Sequence, residues 1–347
     1  MFFDFKDNLL NPQEPPILIA EAGVGHFGSL EKAFALIDLA KQSGCQTIKF
    51  QHFCTNDLIN ETDYEWRKRL ANKDTSIEFI KKIYEYAGKN DIHCFFTPHT
   101  EKALDDLINL KYIDVIKIGS GERGNLKFIE KALSTGAFVL ISTGMYEDQD
   151  LIELRELLIK YPKNSACIMH CNTIYPTPYK DVNLKTVQHL KNIFKNIAPI
   201  GYSDHTMGFA VPLSSVALGV RVIEKHISLE RNIPNAQDWK VSCFKDDLPY
   251  LVNSIKEVWD ATKDEIFKKE LTQKELSNRK WANKSCYLKQ DIYPQTVLTN
   301  IYYEEKRPFN GYTPNQVEKF LLGKTYHGKE ILKRGHSLNH EDLKHFD

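Results

Sequence analysis

The chain has 347 residues, 42% hydrophobic and 27% charged, and its 46 lysines and arginines balance its 46 aspartates and glutamates. That balance excludes the basic footprint of a nucleic-acid-binding protein, and no apolar run approaches the roughly 20 residues that span a bilayer. Seven cysteines without a CxxC pair indicate a reducing compartment, and the acidic first residues do not resemble a signal peptide, so we expect a cytoplasmic protein.

Eight short apolar runs occupy the first two-thirds of the chain, and nearly every run ends in a polar residue able to do chemistry. The runs begin at Ile17, Thr47, Cys94, Val115, Phe138, Cys167, Pro199 and Arg221. A parallel strand buried on both faces reads as such a continuous apolar run. In a (β/α)8 barrel the carboxyl ends of the strands form the face that carries the reactive groups. The pattern therefore predicts a TIM-barrel enzyme.

Stretches with helical spacing separate these runs. They cover residues 30–43, 77–87, 101–110, 126–133, 148–159 and 184–194, and a longer one covers 246–264. Strand followed by helix, repeated, predicts parallel pairing through right-handed crossovers. We therefore assign residues 1–267 to a catalytic barrel domain.

The remaining residues differ in texture from the barrel. Residues 268–282 are rich in Lys, Glu, Gln and Asn and are interpreted as a linker. Residues 283–347 combine short β-like pieces with turn signals such as Asn310-Gly311. They predict a small β-rich domain, which is short for independent stability and so often docks on something else.

Two histidines follow neighbouring strands of the predicted barrel. His205 comes after the seventh run and His226 after the eighth, so both imidazoles can meet at one rim. Two such nitrogens bind a divalent metal only if oxygen ligands from substrate and water complete the site. The alternative is two unrelated histidines, one of which satisfies a carbonyl at a strand end.

Two lysines and four hydroxyl groups lie at the ends of other strands. Lysines almost never bury unpaired, so Lys49 and Lys117 at inward-facing ends predict a bound anion, and hydroxyls beside them suit a phosphate. The alternative is that the lysines point outward or pair with Glu21 or Glu122. The hydroxyl groups belong to Thr97, Ser120, Ser142 and Ser203.

Glu21 and Glu122 are the candidate acid–base groups. Glu122 follows Gly119-Ser120-Gly121, a tight loop whose glycines permit close approach of the backbone to a ligand. A loop glutamate by itself is more often solvated than catalytic. Two carboxylates that face a metal and a phosphate are better candidates for catalysis.

Together these segments resemble the sialic acid synthase family, which includes legionaminic and pseudaminic acid synthases. The resemblance runs in order along the whole chain, and its C-terminal part is similar to the antifreeze-like (SAF) domain of that family. The segments that carry it include Glu21-Ala22-Gly23, Lys49-Phe50-Gln51, Lys117-Ile118-Gly119-Ser120-Gly121-Glu122, Ser142-Thr143-Gly144-Met145, Tyr175-Pro176-Thr177-Pro178, Ser203-Asp204-His205-Thr206, Glu224-Lys225-His226 and Lys306-Arg307-Pro308.

The resemblance implies a reaction and a role for each candidate residue. Phosphoenolpyruvate would condense with an N-acyl hexosamine to give a nine-carbon 2-keto-3-deoxy acid and phosphate. His205 and His226 would hold the divalent metal, Mn²⁺ first, with Mg²⁺ or Co²⁺ as alternatives. Lys49, Thr97, Lys117, Ser120, Ser142 and Ser203 would hold phosphoenolpyruvate, Glu21 would lie near the metal and the reacting carbons, and Glu122, Gln51, Tyr175 and Asp238 would face the sugar.

The resemblance also implies a homodimer in which each small domain caps the barrel of its partner, so that Arg307 contacts the sugar across the boundary. Two departures fall where sugar specificity is expected. Gly25 stands where the family usually has Asn, and Trp239 stands where it often has His. The core chemistry is therefore carried over more firmly than the identity of the acceptor.

Two other functions stay open. A barrel aldolase could form a Schiff base on Lys117 or Lys225, because buried lysines can be activated as nucleophiles. A catalytically silent sugar-binding protein could have kept the barrel and lost turnover.

Overall fold

The computed structural model describes residues 3–233, 236, 238–264 and 269–347. Its contacts divide the chain into two compact units, 1–265 and 266–347. The domain boundary predicted between residues 267 and 268 lies outside the described residues, so its exact place stays a prediction.

The first unit is a closed barrel of eight parallel strands that are hydrogen-bonded in chain order, and β1 pairs with both β2 and β8 to close it. This confirms the predicted fold class. The strands are β1 (Ile17–Gly23), β2 (Thr47–His52), β3 (His93–Pro98), β4 (Val115–Ile118), β5 (Phe138–Ser142), β6 (Ala166–Cys171), β7 (Ile200–Asp204) and β8 (Val222–His226).

Side-chain alternation along each strand separates two buried clusters. Every second residue points into the barrel, where Ile19, Phe95, Leu140 and Met169 pack into one apolar cluster. The intervening residues belong to a larger cluster beneath the surrounding helices. The same alternation places Lys49, Ser142 and Glu224 inward at the strand ends, directly above the apolar interior.

The first described helix, α1 (Phe5–Leu10), closes the amino-terminal end of the barrel. The Phe5 ring lies 5.5 Å from the Phe95 ring and 6.0 Å from the Phe138 ring, centroid to centroid. Arg221 at the start of β8 donates from its guanidinium to the Leu9 carbonyl oxygen at 2.8 Å. Helix α1 therefore covers the amino-terminal end of the barrel interior.

The helices that surround the barrel match the predicted periodic segments to within a few residues. Not predicted were α1, α3, α4, α9, and α11, which connects β7 to β8. The helices after α1 are α2 (Leu30–Gln42), α3 (Thr55–Leu58), α4 (Tyr64–Leu70), α5 (Ile77–Lys89), α6 (Glu101–Leu110), α7 (Leu126–Ser134), α8 (Asp148–Leu158), α9 (Tyr179–Val182), α10 (Thr186–Ile193), α11 (Ala210–Ala217) and α12 (Leu248–Thr262).

The second unit is a small domain with its own apolar core, which includes Cys286, Leu288 and Leu338. It contains a two-stranded antiparallel sheet, and the segment interpreted as a linker holds a helix whose start is capped by Thr272. Its elements are α13 (Gln273–Ala282), β9 (Ser285–Leu288), β10 (Tyr303–Lys306) and α14 (Pro314–Phe320). Within the described ranges of both units, no helix is both long and apolar enough to span a bilayer.

Candidate active site

A cavity of about 170 Å³ lies at the carboxyl end of the barrel, and all eight strands contribute to its wall. The predicted catalytic residues and the predicted phosphoenolpyruvate-binding residues all line it, and Gln51 and Tyr175 line it as well. The structure therefore brings these side chains together, while the role of each one stays a prediction.

Lys49 lies at the centre of the first group of contacts. Its ammonium is 2.9 Å from Glu21 Oε2 and donates to the Thr97 hydroxyl at 2.7 Å. Burial acts to lower the pKa of Lys49, but the carboxylates of Glu21 and Glu224 more than offset it and raise that pKa above its ordinary value. Lys49 is therefore a fixed cation, and the possible pairing with Glu21 noted from the sequence does occur.

Lys117 faces Lys49 across a shared carboxylate, which is Glu224. The Lys117 ammonium donates to the Ser142 hydroxyl at 2.7 Å and lies 3.9 Å from Glu224 Oε2, which is 3.7 Å from the Lys49 ammonium. Burial lowers the pKa of Lys117. Glu224 Oε2 is buried and accepts no hydrogen bond from a described side chain, so it can still accept a hydrogen bond from a ligand, while Lys117 and Lys49 hold the pKa of this carboxyl below its ordinary value.

The serine hydroxyls are held in place by neighbouring groups. Ser120 Oγ accepts from the Gly144 backbone N–H at 3.0 Å, and Ser203 donates to Glu224 Oε1 at 3.1 Å. A Cβ on Gly144 would lie 2.7 Å from Ser120 Oγ and 2.4 Å from Thr173 Oγ1, so only glycine allows this approach. The Ser120 hydroxyl is also hydrogen-bonded to the Cys171 side chain, so it is held from two sides.

The two predicted metal ligands, His205 and His226, lie side by side, with ring centroids 5.4 Å apart. His205 Nδ1 is 2.7 Å from the Asn172 carbonyl oxygen and donates to it, so Nε2 carries the lone pair when the imidazole is neutral. Burial lowers the pKa of His226, which favours its neutral form. Among the described residues no group of three or more His, Cys, Asp or Glu side chains forms a metal site. A divalent metal held by these two imidazoles would need its remaining ligands from substrate or water.

Glu122 and Tyr175 lie at the mouth of the cavity. Glu122 accepts from the Asn125 amide at 2.8 Å, and burial raises the pKa of its carboxyl above the ordinary value. The Tyr175 ring lies 4.0 Å from the His205 ring, centroid to centroid, with the two ring planes tilted by 34°. Both side chains border the space that an acceptor would enter.

A second cavity of about 440 Å³ adjoins the first, and Gln51, His99, Tyr175 and His226 line both. Asp238, predicted from the resemblance, lines this second cavity, and its Oδ2 lies 3.7 Å from His226 Nδ1. The opposite wall comes from α4 and the residues after it, with Trp66, Arg69, Leu70 and Lys73. None of these four wall residues was predicted from the sequence.

Arg307, predicted to reach the sugar, belongs to the second unit. It is exposed, and its guanidinium lies 5.8 Å from the centroid of the Trp281 ring. Its contact with a sugar stays a prediction.

Six residues that line the cavity had no predicted site role, and they are His99, Gly119, Gly121, Cys171, Thr173 and Glu224. Glu224 was noted as part of a motif but given no role, although alternation from His226 places it inward. His99 follows β3, and its buried Nε2 has no hydrogen-bond partner among the described residues. Burial, with Lys49 and Lys117 nearby, lowers the pKa of His99 to about 4. A strand-end polar residue two positions beyond Thr97 was the available signal.

Lys225, one of the two Schiff-base candidates, does not face the cavity. Its ammonium is buried and lies 2.6 Å from Asp204 Oδ2, and neither residue lines the cavity. Gly25 and Trp239, the two departures from the family pattern, line neither cavity. The wall that a substrate would contact is therefore formed by other residues.

The closed barrel and the polar cavity at the carboxyl ends of its strands are the arrangement found in (β/α)8 enzymes. The chain belongs to the NeuB family, whose sequence profile matches residues 36–267. It is 34% identical to the N,N'-diacetyllegionaminic acid synthase of Campylobacter jejuni, over 91% of this chain and 98% of that protein. It is 31% identical to a pseudaminic acid synthase of the same species, over 96% of this chain and 98% of that protein.

A solved structure gives the same result. The N-acetylneuraminic acid synthetase of Leptospira borgpetersenii, crystallised with citrate, matches with a TM-score of 0.70 at 29% identity, covering 77% of this chain and 92% of that one. The family resemblance seen in the sequence is thereby confirmed. The products named for these relatives differ, so they do not identify the acceptor of this chain.

Proposed function

We propose that this protein is a nonulosonic acid synthase that condenses phosphoenolpyruvate with an N-acyl hexosamine and releases phosphate. The observation that carries the proposal is the convergence of two buried ammonium groups, Lys49 and Lys117, with hydroxyls and two imidazoles in one cavity. Burying several charged groups together costs free energy unless they serve a ligand or a partner. The cluster therefore indicates a bound ligand rather than structural ion pairs alone.

The ammonium and hydroxyl groups suit the phosphate of phosphoenolpyruvate. Lys49 and Lys117 each already contact a hydroxyl, Thr97 or Ser142, at 2.7 Å. Charge-assisted hydrogen bonds to phosphate oxygens are among the strong ones. A phosphate between the two lysines would be held from two sides and positioned away from bulk water.

The donor set fits a divalent metal at His205 and His226. Both imidazoles present an aromatic nitrogen suited to Mn²⁺, Co²⁺ or Mg²⁺ only together with oxygen ligands. Charge balance supports the cation as well, because Glu21 and Glu224 already offset the two lysines. A trianionic substrate therefore needs further positive charge, and a divalent cation bound there would also polarise the acceptor aldehyde as a Lewis acid.

The chemistry follows from the residues that surround this space. The C3 carbon of phosphoenolpyruvate bonds to the aldehyde carbon of the open-chain sugar, and the aldehyde oxygen gains a proton. The C2 carbon becomes cationic in character, and the carboxylates of Glu21 and Glu224 stabilise it. Water adds to C2 and loses one proton to a carboxylate, which balances the proton taken up by the aldehyde oxygen. The C2–O bond to phosphate then breaks while the C2 hydroxyl gives its proton to the departing phosphate, which leaves the keto group.

The acceptor would occupy the second cavity, beside the lysine and hydroxyl groups that would hold the phosphate. Gln51, Tyr175 and Asp238 would orient it, and Glu122 would border it from the loop after β4. In a homodimer with exchanged small domains, Arg307 of the second unit would complete the site and exclude water, which protects phosphoenolpyruvate from hydrolysis.

The direct test is phosphate release from phosphoenolpyruvate with Mn²⁺ and a panel of acceptors. The panel contains N-acetylmannosamine, its 6-phosphate, and a 2,4-diacetamido hexose. We expect release with one acceptor, loss of release after chelation, and recovery with added Mn²⁺. No release with any acceptor, despite binding of a sugar, would favour the silent binder.

The aldolase alternative has a separate readout. A Schiff base on Lys117 would be trapped by borohydride with a keto-acid substrate and would survive chelation. Trapping without metal dependence would replace the synthase assignment, whereas metal dependence without trapping supports it.

A further inference from the structure

Asp204 and Lys225 form a buried ion pair that lies outside the barrel interior, immediately behind the two histidines. The Lys225 ammonium is 2.6 Å from Asp204 Oδ2, and both side chains are at most 1% exposed. Lys225 also donates to the Thr206 carbonyl oxygen at 2.6 Å. The pair therefore ties β8 to the residues at the end of β7.

Asp204 accepts three further hydrogen bonds through its second oxygen. Oδ1 receives the Tyr202 hydroxyl at 2.8 Å, the Thr206 hydroxyl at 2.9 Å and the Thr206 backbone N–H at 3.1 Å. A buried charge satisfied from this many sides is held in one place. Asp204, Lys225, Tyr202 and Thr206 are called the clamp below.

The clamp alternates with active-site residues along the chain. Asp204 stands between Ser203 and His205, and Lys225 stands between Glu224 and His226. Because side chains alternate along a strand, a residue held behind the strand fixes the inward direction of its two neighbours. The ion pair thus sets the spacing of both imidazoles through the backbone.

We propose that Asp204 and Lys225 are positioning residues for the two-histidine metal site. The inference rests on the proposed function, since it concerns the metal that the reaction would use. It explains why a fully buried ion pair occurs here, because a buried pair is weak evidence for stability in itself. The distances between the ligands of a metal site must hold to within about 0.5 Å, and the clamp controls that spacing.

The test measures Mn²⁺ affinity without substrates, by calorimetric titration of the full-length protein. The variants are Asp204→Asn, Lys225→Met and the double variant, and Tyr202→Phe is a milder change that removes one hydrogen bond to the clamp. Loss of groups that orient metal ligands typically costs 10- to 100-fold in metal affinity. We expect a loss of about tenfold or more in the single variants and a smaller loss in Tyr202→Phe.

The control is Arg221→Met, at the opposite end of the same strand. Arg221 holds the Leu9, Asn11 and Glu14 carbonyl oxygens, so its loss destabilises the barrel far from the histidines. We expect a lower melting temperature and a Mn²⁺ dissociation constant within twofold of the wild type.

The double variant separates positioning from stability. Each single variant leaves one buried charge without its partner, which destabilises the fold. The double variant removes both charges, so its melting temperature should be higher than that of either single variant. The Mn²⁺ affinity should stay low, and the visible absorption spectrum of the Co²⁺-loaded protein should remain shifted from the wild type.

Several outcomes would overturn the inference. If all clamp variants, including Tyr202→Phe, bind Mn²⁺ as tightly as the wild type, the positioning role is refuted and the proposed function is unaffected. Equal loss in Arg221→Met, or recovery of affinity together with stability in the double variant, would reduce the clamp to a structural element. A wild-type protein that binds no Mn²⁺, either alone or with phosphoenolpyruvate present, would overturn the metal-dependent function as well.

Discussion

Replacing Lys117 with methionine tests whether this ammonium helps to hold phosphoenolpyruvate. Methionine keeps the length of the chain and removes the charge that contacts Ser142 at 2.7 Å and Glu224 at 3.9 Å. A hydrogen bond to a charged group contributes about 1.5–3 kcal/mol, and about 1.4 kcal/mol is tenfold in a binding constant. We therefore expect phosphoenolpyruvate to bind roughly 10- to 100-fold more weakly.

The assay is calorimetric titration of phosphoenolpyruvate into the Mn²⁺-loaded protein without acceptor. Lys102→Met is the matched control, because it removes the same charge from a surface lysine paired with Asp57 at 3.0 Å. Exposed pairs contribute little and are screened by salt, so this variant should bind phosphoenolpyruvate within about twofold of the wild type. Circular dichroism checks that both variants are folded.

Unchanged affinity in Lys117→Met would refute the idea that Lys117 holds the anion. An equal loss in the Lys102 control would show an effect of net charge rather than of the cavity. If borohydride traps the wild type but not Lys117→Met, the lysine is a nucleophile and the synthase reasoning fails.

Other predictions concern separate parts of the molecule. Glu21→Gln should lower kcat by at least about 100-fold with a smaller change in the KM for phosphoenolpyruvate, because acid–base groups typically contribute 10²–10⁴-fold. Asp238→Asn should raise the KM of the acceptor and leave that of phosphoenolpyruvate near the wild-type value. Phe5→Ala should destabilise the barrel by about 3–5 kcal/mol, seen as a lower melting temperature, with turnover at 25 °C retained. The Asp342 carboxylate, 2.9 Å from His336 Nε2, raises the pKa of His336 above its ordinary value; Asp342→Asn should return it, as measured by proton NMR.

The sign of that last effect follows from linkage. Because the folded state raises the pKa of His336, the contact stabilises the second unit fully below the ordinary histidine pKa, and this contribution is lost as the pH rises through the raised value. A His336 pKa that does not change in Asp342→Asn would contradict this effect.

A Phe5→Ala protein with wild-type stability would contradict the packing of α1 against the barrel interior. In Asp238→Asn, equal changes in the KM of the acceptor and the KM of phosphoenolpyruvate would refute the separate acceptor cavity.

The barrel and most of its cavity could be predicted because each strand shows two features in the sequence, a buried apolar run and a polar residue directly after it. A run such as Phe138–Ile141 is apolar since it is buried on both faces, and its next residue, Ser142, must then lie at the open rim. The same reasoning applied residue by residue would have found Glu224, which alternation places inward with His226. It was missed because its motif also contains Lys225, and a motif does not say which of its members faces the ligand.

Other features depend on contacts that no local pattern reports. Helix α11 (Ala210–Ala217) contains Pro212 and has little polar face, so its periodicity is weak. The wall formed by Trp66 and Arg69 belongs to the connection between β2 and α5, whose side chains are largely exposed, and nothing in its pattern indicates a cavity. The direction of Lys225 is set by Asp204, a partner 21 residues away.

The central claim is that two imidazoles and two ammonium groups serve one bound metal and one phosphate ester. Crystals grown with Mn²⁺ and phosphoenolpyruvate test it through anomalous diffraction at the manganese edge. We expect a single strong anomalous peak within bonding distance of His205 and His226, with the phosphate between Lys49 and Lys117. Manganese elsewhere, or phosphoenolpyruvate bound away from both lysines, would contradict the account.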